Sequence, residues 1–470
     1  MGVRTDSPLA AEARRGVLEF LLTSHPLDCP ICDQAGECKL QEYSNDYGQI
    51  EGRYEEKKTK KGKNLSIGPR VNLDQERCVL CGRCVRFMRD IMHDEVLTMS
   101  QRGTYNAITV YPGRELDSNY SLNTVDLCPV GALTSKDFRF KMRVWFLKET
   151  KTIDVDCGTG TNITLWTRED RVYRITPRPN DAVNSCWMPD SHRLNYKYIN
   201  SPQRIPQPVI RTDAGAPHRP ATWEPALASA AEAFKRISPD KIAIIASGRM
   251  TNEELYMVRH LAAQIGTDKV DIVLRTGESD GMLISADRNP NTNGAKLVLG
   301  IDPGSRLDAI REGVRNGSVK AVLALGEDLT APEAGFTPED LKKLDYLFMI
   351  AHSANETGRH ADLVLPGVTY AEKFGTMINV AGRIQRLNRA IRPVGYSRDD
   401  WQILRDITVA LGGNPALKDF SSALDILTVM STEYEALNGL TWGSIGDGGL
   451  PILETGVTIP MVERERNQPR

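Results

Sequence analysis

The distribution of cysteine constrains this chain more than any other feature of its sequence. Seven of the nine cysteines precede Val130, and none follows Cys186 in a chain of 470 residues. A disulfide framework would spread an even number of cysteines through the fold that it staples, and this odd, one-sided set does not. The crowding of thiols in the first part of the chain therefore predicts metal binding, because thiolates are ligands of iron–sulfur clusters and zinc.

The first cysteine group lies in the segment HPLDCPICDQAGEC, which places one imidazole and three thiols within fourteen residues. The candidate ligands are His25, Cys29, Cys32 and Cys38. Three cysteines with one histidine form a common structural zinc set, and thiolates also hold iron–sulfur clusters, so the spacing alone leaves both metals open. We expect Cys38 to open a helix that Gly48 ends.

The second cysteine group is the sequence CVLCGRC, followed at a distance by a Cys-Pro pair, and it resembles half of a bacterial two-cluster ferredoxin. The candidate ligands of this [4Fe-4S] cluster are Cys78, Cys81, Cys84 and Cys128. A zinc site would normally use two pairs of cysteines instead. The positions that would hold the second ferredoxin cluster are occupied by Met88, Ser118, Ser121 and Thr124. With no thiolate there, we predict a single cluster in this ferredoxin-like domain.

Bulk composition excludes several classes of protein. Apolar residues make up 40% of the chain and charged residues 26%, which is enough apolar surface for folding. At a net charge of -2 there is no global basic field, so we expect no nucleic-acid partner. No apolar run is long enough to span a membrane, and the N-terminus has no apolar secretory segment. The sequence therefore predicts a cytoplasmic protein that reaches a membrane only through partners.

The sequence pattern changes several times along the chain. A helix is expected from Pro8 to about Thr23, with Ser7 as its N-cap. The segments NITLWT and RVYRIT, which follow Lys148, are β-rich. From about residue 206 onward, buried-strand runs alternate with helical stretches, and one helix start carries a capping box at Thr251 and Glu254. The predicted strand runs are 241–247, 296–302, 320–326 and 346–351. This alternation predicts a parallel α/β sheet with crossover helices.

We predict four domains, with the boundaries 1–66, 67–147, 148–205 and 206–470. The first two are α+β iron–sulfur domains, one with the histidine-ligated cluster and one ferredoxin-like. They are followed by a small β-rich domain and by an α/β parallel-sheet domain.

The second half of the chain resembles the molybdopterin oxidoreductases. The resemblance rests on TWEPAL (222–227) and ETGRHADLVLPGVTYAEKFGTMINVAGRIQRL (356–387), since Gly and Asn loops of this kind hold the pterin in that family. No cysteine follows Cys186 to ligate molybdenum, so we expect a degenerate domain without molybdopterin. The β-rich domain resembles the N-terminal domain of the same family.

Taken together, these features resemble the large iron–sulfur subunit of respiratory complex I, NADH:quinone oxidoreductase. They are the one-histidine, three-cysteine motif, the ferredoxin-like set ending in VDLCPVGALTSK and the molybdopterin-like second half. The resemblance implies two [4Fe-4S] clusters that relay electrons from a flavin subunit toward quinone. Because the chain has no nucleotide-binding glycine fingerprint after its strands and no molybdenum ligand, we expect no turnover by the isolated chain. The implied partners are the flavin and NADH-binding subunit, the [2Fe-2S] subunit and the quinone-side iron–sulfur subunits. The implied location is peripheral, on the cytoplasmic side of a bacterial inner membrane.

Two centres of this family are expected to be missing from the chain. Some bacterial relatives hold a third cluster, but with Cys157 as its second ligand the other positions are Asp154, Thr161 and Pro189, so we expect no third cluster. Family members begin with a [2Fe-2S] domain, and its C-x4-C-x2-C pattern does not occur in these residues. We expect a separate polypeptide to supply that centre, or the chain to be a truncated gene product.

Two other interpretations remain open. The diaphorase part of an NAD-linked hydrogenase or formate dehydrogenase shares the histidine-ligated domain. Met88 and the long second half disfavour the hydrogenase, and the missing molybdenum ligand disfavours the formate dehydrogenase. A zinc-stapled structural protein is the alternative from a different class, and it would be colourless.

Overall fold

The computed structural model describes residues 2–211 and 216–466. The chain divides into two compact units. The first unit comprises Met1–Lys148 and Trp187–Asn195, and the second comprises Glu149–Cys186 and Tyr196–Arg470. The finer division into four domains stays a prediction. Among the described residues, no helix combines the length and the apolar character that crossing a membrane requires.

The first unit contains short helices and two small antiparallel sheets. Its helices are α1 (Pro8–Leu22), α2 (Lys39–Tyr47), α3 (Arg83–Arg86), α4 (Asn123–Leu127) and α5 (Asp190–Arg193). Its strands are β1 (Leu65–Ser66), β2 (Val71–Leu73), β3 (Leu97–Ser100), β4 (Ala107–Val110) and β5 (Leu133–Ser135). One sheet has the order β1-β2-β5, and the other pairs β3 with β4.

The two helices predicted at the start of the chain are confirmed. The hydroxyl oxygen of Ser7 accepts a hydrogen bond from the Ala10 amide at 3.2 Å and so caps α1. Helix α2 follows Cys38 as its N-cap and ends at Gly48. The whole histidine and cysteine motif therefore lies on the connection between these two helices.

The second unit is built around a seven-stranded sheet. Its helices are α6 (Trp223–Arg236), α7 (Asn252–Ile265), α8 (Thr292–Leu299), α9 (Leu307–Asn316), α10 (Pro338–Leu341), α11 (Glu356–His360), α12 (Asp400–Ala410), α13 (Ala423–Glu433), α14 (Trp442–Ile445) and α15 (Pro460–Arg466). The strands from residue 148 onward are β6 (Lys148–Ile153), β7 (Asn162–Arg168), β8 (Arg171–Pro177), β9 (Val209–Ile210), β10 (Arg219–Pro220), β11 (Ile242–Ala246), β12 (Val270–Ile272), β13 (Ala321–Leu325), β14 (Tyr346–Ala351), β15 (Leu363–Pro366), β16 (Gly375–Ile378), β17 (Arg383–Leu387) and β18 (Leu450–Pro451).

The large sheet has the strand order β10-β9-β15-β14-β13-β11-β12. Its five strands from β15 to β12 are parallel, and β9 and β10 add an antiparallel edge. Along β11 the side chains of Ile242 and Ile244 pack into one apolar core, and those of Ala243 and Ile245 pack into another on the opposite face. Burial on both faces is typical of a parallel α/β sheet with helices on each side, as predicted.

Most of the predicted local elements are confirmed. The runs 241–247, 320–326 and 346–351 contain β11, β13 and β14, and the two β-rich segments form β7 and β8. The capping box is also present, since the Thr251 amide donates to the Glu254 carboxylate at 2.8 Å and the Glu254 amide donates to the Thr251 hydroxyl at 3.3 Å.

The predicted strand at 296–302 is wrong, because the structure has a helix there. Helix α8 covers residues 296–299 of this run and is capped by Gly300, which has the left-handed φ of 66° typical of a C-cap. Its apolar side chains follow a helical spacing, with Ala295 and Val298 buried, while Lys296 pairs with Asp302 at 3.0 Å. A short apolar run cannot distinguish a buried strand from one face of a helix.

Candidate functional site

The first predicted ligand set lines a single cavity in the first unit. Its lining includes His25, Cys29, Cys32 and Cys38. His25 and Cys29 follow α1, with Cys29 opening a short 3₁₀ turn, and Cys38 is the N-cap of α2. The structure therefore brings all four predicted side chains together.

The loop that carries these side chains is held from the outside by a later segment. The guanidinium of Arg143 donates hydrogen bonds to the carbonyls of Pro30 and Cys32. Gly36 has a left-handed φ of 85°, and the ring of Trp145 packs where a side chain would begin. These contacts restrain the loop from its outer side.

The second predicted set also lines one cavity. Its lining includes Cys78, Cys81, Cys84 and Cys128. Cys84 lies in α3 and Cys128 is the C-cap of α4, so helix ends position two of the thiols. Leu80 has a left-handed φ of 54°, and its amide donates to the Cys78 sulfur at 3.4 Å. The backbone thus already directs a donor toward a sulfur, as cluster-binding loops do.

Burial raises the pKa of five thiols in the two cavities. Burial raises the pKa of Cys84 to about 12 and that of Cys128 to about 11. The pKa values of Cys32, Cys38 and Cys78 are also raised, again chiefly by burial. A buried thiolate without a cation is unfavourable, so these thiols keep their protons until a metal replaces them. All eight predicted ligands thus fit metal centres, since the seven thiols are not in disulfides.

His25 has the properties of a neutral ligand. Burial, and next the positive charge of Arg77, lower the pKa of its imidazole to about 4, so the ring is uncharged near neutral pH. Within the described residues, no hydrogen-bond partner reaches its buried Nδ1 atom. A buried ring nitrogen without a partner is unfavourable, and a metal ion would satisfy it.

The two cavities share a wall formed by residues 128–132. Cys128, Val130 and Ala132 line the second cavity, and Gly131 lines the first. The Pro129 carbonyl accepts a hydrogen bond from the Lys39 amide at 3.0 Å, which ties this segment to the start of α2. Along this segment, two residues, Pro129 and Val130, separate Cys128 of the second set from Gly131 in the lining of the first cavity.

The four positions that lack thiols in the ferredoxin-like domain make structural contacts. Met88 is fully buried, the Ser121 hydroxyl donates to the Asp190 carboxylate at 2.6 Å, and the Thr124 hydroxyl donates to the Ser121 carbonyl at 2.7 Å. The Ser118 hydroxyl accepts from the Tyr120 amide at 3.2 Å. That only one cluster binds in this domain stays a prediction.

The two remaining cysteines lie in the second unit. Cys157 is fully buried, its thiol donates to the Leu283 carbonyl at 3.6 Å, and burial raises its pKa to about 11. Cys186 is half-buried. The expected loss of a third cluster in this region also stays a prediction.

Sequence reasoning missed three charged residues at the first cavity. Arg77 lines it, and the Arg77 guanidinium pairs with Asp74 at 2.5 Å and with Asp28 at 2.8 Å. Asp28 lies inside the first motif and Arg77 directly precedes Cys78, so their proximity in sequence to predicted ligands could have marked them as candidate site residues. The pairing of Arg77 with Asp28, which are 49 residues apart, could not be predicted from the spacing of the cysteines.

Comparison with known protein families agrees with this arrangement. Residues 14–53 match the model of the NADH-ubiquinone oxidoreductase-G iron-sulfur binding region, and residues 68–134 match that of the ferredoxin-like domain of NADH-quinone oxidoreductase subunit 3. Residues 147–197 match an NDSU1/NuoG-like 4Fe-4S domain, and residues 279–409 match the molybdopterin oxidoreductases.

Curated proteins extend the similarity over most of the chain. The mitochondrial 78 kDa subunit of NADH-ubiquinone oxidoreductase from Candida albicans is 31% identical, over 90% of this chain and 75% of that protein. The G subunit of NADH-quinone oxidoreductase from Rickettsia felis is 29% identical, over 87% of this chain and 77% of that protein. The chain belongs to this family of large complex I iron–sulfur subunits.

Membership of this family makes the chain an iron–sulfur subunit of an oxidoreductase complex with an electron-relay role. Its ferredoxin-like 4Fe-4S domain and its molybdopterin-oxidoreductase-like domain are present, as predicted. The first ligand set lies inside the match at 14–53, and the second lies inside the match at 68–134.

Proposed function

We propose that the chain passes electrons through two [4Fe-4S] clusters in the peripheral arm of NADH:quinone oxidoreductase. His25, Cys29, Cys32 and Cys38 hold one cluster, and Cys78, Cys81, Cys84 and Cys128 hold the other. Bound clusters of this type accept and release single electrons. The protein's part is to hold the two centres at a fixed, short separation and to limit their contact with water.

One observation carries this proposal: each complete ligand set lines its own cavity, and residues 128–132 contribute to the walls of both. A wall of a few residues suits electron transfer between neighbouring centres. The match of residues 14–53 to an iron-sulfur binding region favours the cluster interpretation of the first set, which spacing alone left open.

The partners follow from the family. We propose that electrons arrive from the flavin and NADH-binding subunit and its [2Fe-2S] neighbour, and leave toward the quinone-side iron–sulfur subunits. The chain then sits peripherally on the cytoplasmic side of a bacterial inner membrane, attached through the complex. We further propose that the second unit is a scaffold without molybdopterin and without a third cluster, and that the isolated chain turns over no substrate.

Metal analysis of anaerobically purified protein tests the cluster count. We expect about eight irons and about eight sulfides per chain, since each [4Fe-4S] cluster contributes four of each. Tightly bound zinc in place of iron would contradict the proposal, and about twelve irons would contradict the absence of a third cluster.

Single cysteine variants test the assignment of ligands. Cys32→Ser and Cys84→Ser should each remove about four irons, and each should abolish a different EPR signal of the reduced protein. Cys157→Ser is the matched control, because this thiol is buried but belongs to neither set. It should keep the iron content of the unaltered protein.

A further inference from the structure

Arg77 lies at the point where the two ligand sets meet. Its main chain directly precedes Cys78 of the second set, while its side chain lines the first cavity beside His25 and Cys29. The side chain is 8% exposed. The Cδ atom of Arg77 also packs against Gly131 in the shared wall, 3.6 Å from where a β-carbon would be.

Two carboxylates hold this guanidinium in place. Asp74, three residues earlier, pairs with it at 2.5 Å, and Asp28 pairs with it at 2.8 Å. The Asp74 amide donates to the Ala132 carbonyl at 2.7 Å, so the same cluster of residues is joined to the shared wall. Because Asp28 immediately precedes Cys29, the Arg77–Asp28 pair restrains the loop that carries the first ligands.

The other positive charges near this cavity, Lys58 and Lys63, are more exposed than Arg77. Lys63 is 43% exposed and pairs chiefly with Glu76 at 2.8 Å, remaining 3.9 Å from Asp28. Lys58 donates to the Leu22 carbonyl. A charge kept from water acts more strongly on a neighbouring centre than one that solvent screens, so Arg77 is the positive group with the greatest influence on the first cavity.

We infer that Arg77 is a positioning residue: its buried positive charge raises the reduction potential of the His25-containing cluster, and its pairing with Asp28 restrains the loop that carries the ligands. Reduction adds one negative charge to a cluster, and a fixed cation at the cavity wall stabilises that charge. Arg77 does not line the second cavity, so its effect falls mainly on the first centre. The inference rests on the proposed function, because it needs a [4Fe-4S] cluster in the first cavity.

The experiment is a redox titration monitored by low-temperature EPR, with iron content measured on the same samples. Arg77→Met keeps much of the side-chain volume but removes the charge. It should lower the midpoint of the first cluster so that the ratio of oxidised to reduced cluster at a fixed potential rises about tenfold, equivalent to ~59 mV for one electron. Arg77→Lys, the matched variant that keeps the charge, should shift this ratio by less than about threefold. The midpoint of the second cluster should move less than that of the first in Arg77→Met.

Asp28→Asn supplies a test of the opposite sign. Removing this carboxylate's negative charge should raise the midpoint of the first cluster. If Arg77→Met fails to retain iron, Arg77→Gln, which is also neutral but keeps a hydrogen-bond donor for the two carboxylates, takes its place in the titration with the same expected result. An unchanged or higher midpoint in Arg77→Met with full iron content would overturn the inference, as would an equal shift in Arg77→Lys. An unchanged or lower midpoint in Asp28→Asn would do the same. Absence of a [4Fe-4S] signal from the first site of the unaltered protein would instead refute the proposed function.

Arg83→Met is the control for a general effect of losing an arginine near a cluster. Arg83 lines the second cavity and is exposed. Solvent screens its charge, so this substitution should leave the first midpoint unchanged and shift the second only slightly. A shift of the first midpoint as large as that in Arg77→Met would show that the Arg77 effect is not specific.

Discussion

A β-carbon added to Gly131 would lie less than 3.0 Å from the sulfur of Cys32, closer than side chains pack. Gly131 follows Cys128 by three residues, so the chain that supplies the last ligand of the second set runs directly against a thiol of the first. Only a residue without a side chain permits this approach. The thickness of the wall between the two cavities therefore depends on Gly131.

Gly131→Ala should disturb the first cluster more than the second. The added methyl group meets the Cys32 thiol, and the hydrogen bond from Arg143 to the Cys32 carbonyl restrains the loop from moving away. We expect the iron content to fall from about eight toward about four per chain, with the first EPR signal lost preferentially. Gly16→Ala in α1, where nothing lies within 4 Å, is the control and should retain all of the iron. Full retention of both signals in Gly131→Ala would contradict this role.

His25→Cys should keep the first cluster but lower its reduction potential. The pKa of His25 is lowered to about 4, so the imidazole it would contribute is neutral, whereas a cysteine would contribute a negative thiolate. An added negative charge disfavours reduction, in the direction opposite to that seen when histidines replace cysteines in Rieske centres. Each ~59 mV of lowering changes the one-electron equilibrium tenfold. A redox titration followed by EPR measures it, and an unchanged or higher midpoint would show that His25 is not a ligand.

Much of the site was predictable because metal ligands are constrained by local spacing. Three of the four residues in each set lie within ten positions of one another, and each complete set reaches a single cavity. The spacing of the ligands does not predict the contacts between the two ligand sets. The contact of Gly131 with Cys32 and the pairing of Arg77 with Asp28 join residues that are far apart in sequence, and only tertiary packing brings them together.

The strands of the second unit were predicted correctly where an apolar run is bounded by turns. The prediction was wrong where the periodicity of the apolar residues fits both a strand and a helix. Strand β11 has five consecutive fully buried residues, a pattern that a surface helix would not produce. The run at 296–302 is apolar too, but it lies in helix α8, whose N-cap is Asn291. The Asn291 side chain donates a hydrogen bond to Asn252 at the start of α7, and Gly294 packs closely against the same Asn252. The sequence alone does not contain that contact.

Because the ion pair of Glu254 and Lys373 is buried, we expect that removing one of its charges lowers the stability of the fold substantially. Their charged groups lie 2.8 Å apart, and the two side chains are 1% and 6% exposed. Glu254→Gln should lower the free energy of unfolding by up to about 3 to 5 kcal/mol, because the Lys373 ammonium loses its hydrogen-bonded carboxylate and keeps only the attraction of Asp399 and Asp400. Glutamine keeps an oxygen for the Thr251 amide, so loss of the helix cap contributes little. Urea unfolding measures the change.

The same substitution at Glu42 is the control for Glu254→Gln. Glu42 pairs with Lys39 at 2.8 Å, but both side chains are exposed, so Glu42→Gln should cost less than about 1 kcal/mol. The double variant Glu254→Gln with Lys373→Met should recover only part of the loss, since the buried carboxyl of Asp400 then lacks the positive charge of Lys373. Equal costs at the exposed and the buried pair would show that burial does not strengthen the interaction.

His352 predicts that acid destabilises the second unit. Burial, and next the positive charges of Arg204, Lys373 and Arg249, lower the pKa of His352 to about 4, against about 6.5 in an unfolded chain. The unfolded state therefore binds a proton that the folded state does not, and the folded state loses stability as the pH falls through about 6.5 toward about 4. Its imidazole Nδ1 lies 2.8 Å from the Ser353 hydroxyl, a contact that a glutamine could keep.

Between about pH 7.5 and about pH 5.5, the contribution of His352 to the free energy of unfolding should fall by about 1 kcal/mol. His352→Gln should remove this part of the pH dependence while leaving the rest unchanged, because glutamine does not titrate. Urea unfolding of the unaltered protein and of the variant at the two pH values measures the difference between their slopes. A parallel pH dependence in the two proteins would mean that His352 takes up its proton equally well in the folded state, and that the three neighbouring cations do not act on it.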